Sequence, residues 1–541
     1  MRAPDRDPPR RLTLLGLFAV LSVLYLATSP ALVHQHWDSL EYPYACEMRS
    51  PKTIWGNHPL GHVILCGAYR GAQALGYGGR ALPFMSVCNA IVGATTSVTF
   101  AWLLGLLGIR QTAAVAWSLV MAGTYGFWLY SGTADIYGLS LLAMLLAWIA
   151  LLRVADRPGP TRAVVAAIAV GIAVVTHQFN GPLLLAAFVA LWLLPPPGAR
   201  RPSAAEVVLL GAISSAIVVA GYVVIGMAAT EPTTMETFRR WIVDYGADPT
   251  YGRSFNIKGL LKAMWTAGDT LLRINWTPGI AVLRFWLLGA LAVVLGLGVL
   301  AIPRARGTLR PAALSALAQL AVGVPLIWWW APDHVGKWWL LMLPAFVLVQ
   351  ATGVEVIGRV VARAVTAVPI ALATACLGYS GFVTMRAMHR TDHAFDDALA
   401  KWERYSQPGD VTLESDVTAH LLFWTRRPNA LFIYRTIQAS QDGPDRFARL
   451  RAIIDGALAE GRSVFYVPGM VAGFAESDLK LVGVTRDEVT AFFNRYRRDG
   501  PVFLYRPKEG ADEREVYKLG SDRGQTGVRH GSDTGQTTFR R

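Results

Sequence analysis

Apolar runs of bilayer-spanning length recur along this chain up to residue 386. A helix crossing the hydrocarbon core needs about 20 mostly apolar residues. A chain carrying many such runs has no aqueous fold able to hide them all. Apolar residues make up 53% of the 541 and charged residues 16%. That balance excludes an ordinary soluble enzyme and points to a multi-spanning membrane protein. Ten-residue alternation of the outer-membrane barrel type is absent, so the expected spans are helices. They are 12–33, 82–107, 112–130, 135–154, 162–176, 179–196, 205–229, 279–302, 311–331, 337–353 and 364–386.

The formal net charge is +14. Most of the arginines sit in short connections between apolar runs, which fits membrane topology and not nucleic-acid binding. One further segment, 59–76 (PLGHVILCGAYRGAQALG), contains His62, Arg70 and Gln73. Counting it as a span would flip every later loop. With 59–76 laid on the membrane surface, Arg110, Arg153, Arg157, Arg162, Arg200, Arg201, Arg304, Arg306, Arg310, Arg359 and Arg363 all fall on the cytoplasmic side. The opposite short loops, 131–134 and 177–178, carry no Lys or Arg, and 332–337 carries only Lys337. The positive-inside rule therefore favours eleven spans, with the N-terminus inside and the tail outside. The first run follows Arg2, Arg6, Arg10 and Arg11 and lacks a clear small-residue cleavage site, so it reads as a retained helix.

The expected architecture is an all-α polytopic membrane bundle with a C-terminal extracytoplasmic α/β domain. Residues 1–11 form a cytoplasmic tail and 12–386 the transmembrane domain. The latter includes a first outer loop at 34–81, with surface helix 59–76, and a large outer loop at 231–278. Residues 387–518 form the outer domain. Helical patterns at 395–406, 447–461 and 485–498 alternate there with strand patterns at 411–415, 463–468 and 502–507. No Gly-rich phosphate loop or nucleophile elbow occurs in it. Residues 519–541 are polar and Gly-rich and are expected to be disordered.

Polar chemistry gathers at the outer ends of the spans. Asp38 and Glu41 lie at i and i+3 just beyond the first run and would share one face of a helical turn. A carboxylate shielded at a membrane boundary can serve as a base, though either acid could simply be solvated. His58 and His62, four apart around Pro59, could bind a phosphate, join Asp38 on a metal, or cap a helix. Asp135, followed by Tyr137, suits a helix N-cap or a second acid of a cavity. His177 and Gln178 form a tight outer turn. Asp333, His334 and Lys337 lie among Trp328, Trp329, Trp330, Trp338 and Trp339, which read as an interfacial belt. Lys337 with His334 could hold a phosphate. Of four cysteines, Cys46 and Cys66 could pair in an oxidising compartment; the simpler expectation is free thiols.

The motifs Trp37-Asp38-Ser39-Leu40-Glu41-Tyr42, Asn57-His58-Pro59-Leu60-Gly61-His62, Ala134-Asp135-Ile136-Tyr137-Gly138-Leu139 and Thr176-His177-Gln178 resemble those of the GT-C glycosyltransferases. The likeness is greatest to members related to protein O-mannosyltransferases, and one group of these proteins carries DSGE, HPPGYP, AEVYAL and a later histidine turn at corresponding places. It covers roughly residues 12–200 and is only architectural beyond. Leu40, the HPLGH sequence and Asp135 depart from that pattern, so donor and acceptor identity do not transfer. The resemblance implies inverting transfer of a sugar, mannose or another hexose or pentose, from a polyprenyl-phosphate donor. The acceptor would be a protein, glycan or lipid hydroxyl on the outer face of the cell membrane. Asp38 would act as general base, with Glu41 as a second catalytic candidate. His58, His62, Asp135, Tyr137, His177, Gln178, His334 and Lys337 would bind substrate. Some relatives use a divalent cation and some do not. The alternatives are a lipid or sugar transporter or flippase, and a non-catalytic GT-C-like membrane protein.

Overall fold

The computed structural model describes residues 9–34, 37–48, 54, 56–196, 198–230, 234–243, 255–273, 281–330, 337–358, 361–389, 393–407, 409–414, 422–424, 430–438, 445–468, 479, 483–506 and 512–520. The chain divides into two compact units, Met1–Thr391 and Asp392–Arg541.

The first unit is helical. After α1 (Arg11–Ala27) come α2 (Trp37–Glu47) and α3 (Pro59–Ala74), both in the stretch read as the first outer loop. Seven helices follow: α4 (Ala81–Leu106), α5 (Gln111–Ala122), α6 (Tyr125–Gly132), α7 (Tyr137–Asp156), α8 (Pro160–Thr176), α9 (Asn180–Leu193) and α10 (Ala204–Ala229). The large loop holds α11 (Met235–Val243) and α12 (Ile257–Leu272). Then come α13 (Ala281–Ala301), α14 (Leu309–Trp330), α15 (Lys337–Leu340), α16 (Leu343–Ile357) and α17 (Ala364–Gly378). A π-helical segment (Tyr379–Met385) leads on to α18 (Arg386–Met388).

Among the described residues, six helices are long and apolar enough to cross a membrane, and α5 with α6 makes a seventh span if the bent pair counts as one. The run 112–130, expected to be one straight span, is broken between α5 and α6 with a bend of 74°. Gly123 sits at the break, where a Cβ would lie 2.9 Å from the Leu377 backbone nitrogen, and Thr124 Oγ1 donates back to Met121 O at 2.8 Å. The close approach of α17 and this side-chain cap stop the helix where apolarity alone would let it run on. The run 337–353 is likewise split into α15 and α16, with Pro344 in the first turn of the second.

Buried polar side chains tie the bundle together. Ser118 Oγ donates to Ser97 O at 2.6 Å across α5 and α4, Trp148 Nε1 to Ser315 Oγ at 2.9 Å across α7 and α14, and Gln350 Nε2 to Leu291 O at 2.7 Å across α16 and α13. Where α13 crosses α16, a Cβ on Gly353 would come 2.6 Å from Gly298 Cα. Small residues let the two backbones meet, as in membrane helix pairs. α10 and α13 are apolar all round, yet only 22% and 28% of their most apolar windows are buried. Their remaining faces, with Val208, Val219 and Val224 on one and Val282, Phe285 and Trp286 on the other, are exposed in the manner of lipid-facing surface.

The second unit contains α19 (His393–Tyr405), β1 (Val411–Glu414), β2 (Ala430–Phe432), α20 (Ile433–Gln438), α21 (Ala448–Ala459), β3 (Val464–Tyr466), α22 (Arg486–Phe493), β4 (Arg497–Tyr505) and β5 (Arg514–Gly520). The sheet order is β2-β1-β3-β5-β4. β1 runs parallel to β2 and β3, and β5 antiparallel to β3 and β4. The helix expected at 485–498 starts on a capping box between Thr485 and Glu488 but ends at Phe493. Residues 497 and 498 instead pair with Gly520 and Leu519 of β5. Cross-strand pairing overrides local helix preference there. β5 itself was not anticipated, because its alternating charges mask the pattern.

Candidate active site

Asp38 lies in the first turn of α2, where the helix N-terminus favours a carboxylate. Its Oδ2 accepts from Lys337 Nζ of α15 at 2.5 Å, with Lys337 5% and Asp38 14% exposed. Two charges this far from water hold each other in place, since losing either would strand the other. The Lys337 ammonium also lies 5.6 Å from the centre of the Tyr137 ring.

Asp135 is buried in the connection between α6 and α7, with the helix beginning two residues later. Asn89 of α4 donates to Thr133 O at 2.7 Å and to Asp135 O, which fixes the loop. Asp135 Oδ1 accepts from Ile136 N–H at 2.7 Å, and Oδ2 accepts from Ser39 Oγ of α2 at 3.3 Å. The second acid is therefore hydrogen-bonded directly to the residue that follows Asp38.

His58 precedes Pro59 at the start of α3, and His62 lies one turn on; both are buried. Tyr42 of α2 shares a hydrogen bond with His58 Nε2 at 2.9 Å and meets both imidazoles edge-on at 5.3 and 5.6 Å. Gly61 permits this docking, since a Cβ there would already lie 3.3 Å from Ile136 Cβ and 3.5 Å from Thr176 O. Burial, reinforced by His177, holds the His58 imidazole well below its ordinary value. Burial lowers His62 to about 4, against an opposing pull from Glu41. Glu41 is fully buried on the same helix as Asp38.

His177 closes the other side. The Gln178 N–H donates to Asn57 O at 2.9 Å, so the turn is pinned to the residue before His58 through backbone. The Phe179 N–H donates to His177 Nδ1 at 3.2 Å, which leaves the proton of the neutral ring on Nε2. Burial lowers the imidazole to about 3, so it stays neutral. Its ring lies 5.8 Å from that of His58, 5.3 Å from Tyr137 and 5.2 Å from Trp338. Trp338, read as an interfacial belt residue, is fully buried against the site.

The structure thus brings together Asp38, Glu41, His58, His62, Asp135, Tyr137, His177 and Lys337, from segments far apart in the sequence. Gln178 contributes its backbone. Asp333 and His334 lie outside the described residues. Ser39, Tyr42 and Asn89 were missed. Asn89 was detectable as a polar residue inside an apolar run, and Tyr42 as the i+4 partner of Asp38 on a helix.

Among the described residues, one group of three metal-type side chains is close enough to share an ion: Cys46, His62 and Cys66. Its two sulfurs are joined as a disulfide, with the Cα atoms 5.4 Å apart. This corrects the expectation of free thiols. α2 and α3 hold the two residues at bridging distance, which spacing in the sequence could not reveal.

The arrangement is a buried acid–ammonium pair beside a second carboxylate and neutral imidazoles, all at one end of a helical bundle. No protein-family model and no curated protein matches the sequence. Among solved structures, ArnT from Cupriavidus metallidurans bound to undecaprenyl phosphate aligns over 94% of this chain and 98% of its own, at TM-score 0.53 and 11% identity. The chain shares the fold of that ArnT structure. A second ArnT structure, in the apo state, aligns over 94% and 97% at TM-score 0.38 and 13% identity. The expected resemblance holds at the level of the fold.

Proposed function

We propose that this protein is an inverting membrane glycosyltransferase that moves a hexose or pentose from a polyprenyl-phosphate donor to a hydroxyl acceptor. The observation that carries this reading is the buried Lys337–Asp38 pair, with Asp135 and His58 close by, inside a fold shared with a protein that binds undecaprenyl phosphate. Asp38 takes the acceptor proton as the acceptor oxygen attacks the anomeric carbon. The bond from that carbon to the phosphate oxygen breaks on the opposite face, and the lipid phosphate leaves as an anion. Lys337 is the cation placed to meet it. Before donor binds, Lys337 holds Asp38 as a carboxylate; a donor phosphate competes for the ammonium and frees the base. Neutral His58, His62 and His177 serve as hydrogen-bonding groups to sugar or phosphate oxygens.

Among the described residues, six long helices, the bent α5–α6 pair and four shorter apolar helices support eleven spans, and α3 belongs to none of these classes. With the arginine asymmetry, that supports a cytoplasmic N-terminus and puts the site and the α/β domain on the outer side of the cell membrane in this reading. The four motifs around Asp38, His58, Asp135 and His177 support a branch near the protein O-mannosyltransferases.

The test is donor loss in membranes carrying wild type or Asp38→Asn, with a panel of polyprenyl-phosphate sugars and native extract as acceptor. One donor should be consumed by wild type and about 10²–10⁴-fold more slowly by the folded variant. Equal rates would remove Asp38 as the base. No consumption by wild type would remove the enzyme reading.

A further inference from the structure

On α2, Asp38, Tyr42 and Cys46 recur at four-residue intervals; on α3 and its cap, His58, His62 and Cys66 do the same. Such spacing lines each set along one helix face. The two stripes meet rung by rung. Tyr42 contacts His58 and His62, Cys46 Sγ lies 3.9 Å from His62 Nε2, and Cys46 is bonded to Cys66. Both cysteines are buried. The open end of this ladder carries Asp38 and His58, and the disulfide closes the other end.

We infer that the Cys46–Cys66 disulfide is a positioning clamp for the site. It holds α2 on α3, and so keeps Asp38 in register with His58 and within reach of Lys337. The kinetic part of this inference rests on the glycosyltransferase reading. The bond forms by thiol–disulfide exchange with an external disulfide, such as an oxidoreductase. The two thiols lose their protons to the two thiols released from the oxidant, and the sulfurs of Cys46 and Cys66 are oxidised together. A chain that needs this bond is matured only where the first loop faces an oxidising compartment.

The test uses the full-length protein in detergent. Denatured and treated with a maleimide polymer, it should take two labels before reduction, on Cys88 and Cys376, and four after. Four labels before reduction, with or without stoichiometric zinc, overturns the clamp. In the folded protein, reduction should speed hydrogen exchange at least tenfold in 37–47 and 59–66 and leave α10 unchanged. Turnover should fall on reduction with little change in KM and return with glutathione disulfide. Cys46→Ser/Cys66→Ser should be slow and indifferent to both reagents. Exchange and turnover that ignore reduction would also overturn it. If no donor is consumed in any arm, the glycosyltransferase reading fails, while labelling and exchange still decide the clamp.

Discussion

A buried imidazole at the site is worth most as a neutral group, and His177 shows why. Its Nδ1 already accepts from the Phe179 N–H, so protonation would cost that bond as well as the burial of a charge. The unfolded chain binds the proton near the ordinary value of 6.5, whereas the native ring resists it down to about 3. Stability is therefore complete above 6.5 and is lost as pH falls through the window from 6.5 to 3. The loss is at most about 1.4 kcal/mol per pH unit for each such histidine. His62, lowered to about 4, acts in the same direction over a narrower window. Melting temperature in detergent should drop on acidification from about pH 7 to about pH 4, and the drop should be shallower in His177→Asn. Parallel slopes for the two proteins would show that His177 is not the group being titrated. The identity of these residues was legible from sequence; their charge state was not, because it depends on what other segments bury them.

Between elements, the bundle relies on places where a side chain is missing. Gly353 of α16 and Gly298 of α13 bring two helix backbones together, in a setting where helices gain nothing from the hydrophobic effect by leaving lipid. Gly353→Ala puts a methyl group at a distance no real Cβ occupies, with backbone on the other side. The expected cost is about 1–3 kcal/mol, read as a lower melting temperature with the far side of the bundle unaffected. Unchanged stability would mean that the crossing is looser than described. At this scale the element boundaries separate local from non-local causes. Thr485 with Glu488 marks the start of α22 in the sequence and in the structure. The end of α22, like the break between α5 and α6, is set by partners distant in the chain.

For the whole molecule, the proposed orientation makes a separate prediction. Glu460→Cys in the second unit should react with a membrane-impermeant maleimide on intact cells, in a background lacking Cys88 and Cys376. Arg306→Cys, in a connection assigned to the cytoplasm, should react only after permeabilisation. The reverse pattern would invert the topology and move the Asp38 site to the cytoplasmic face. The membrane class, most of the spans, the α/β tail and the residues worth suspecting were all legible along the chain. These follow from apolar run length, arginine placement and short motifs, which are local properties of the chain. It took the folded bundle to show that Asp38 meets Lys337, 299 residues away, that Ser39 joins Asp135 to α2, and that Cys46 and Cys66 are bonded. Helix packing determines which distant residues share a buried site, and no local pattern records it.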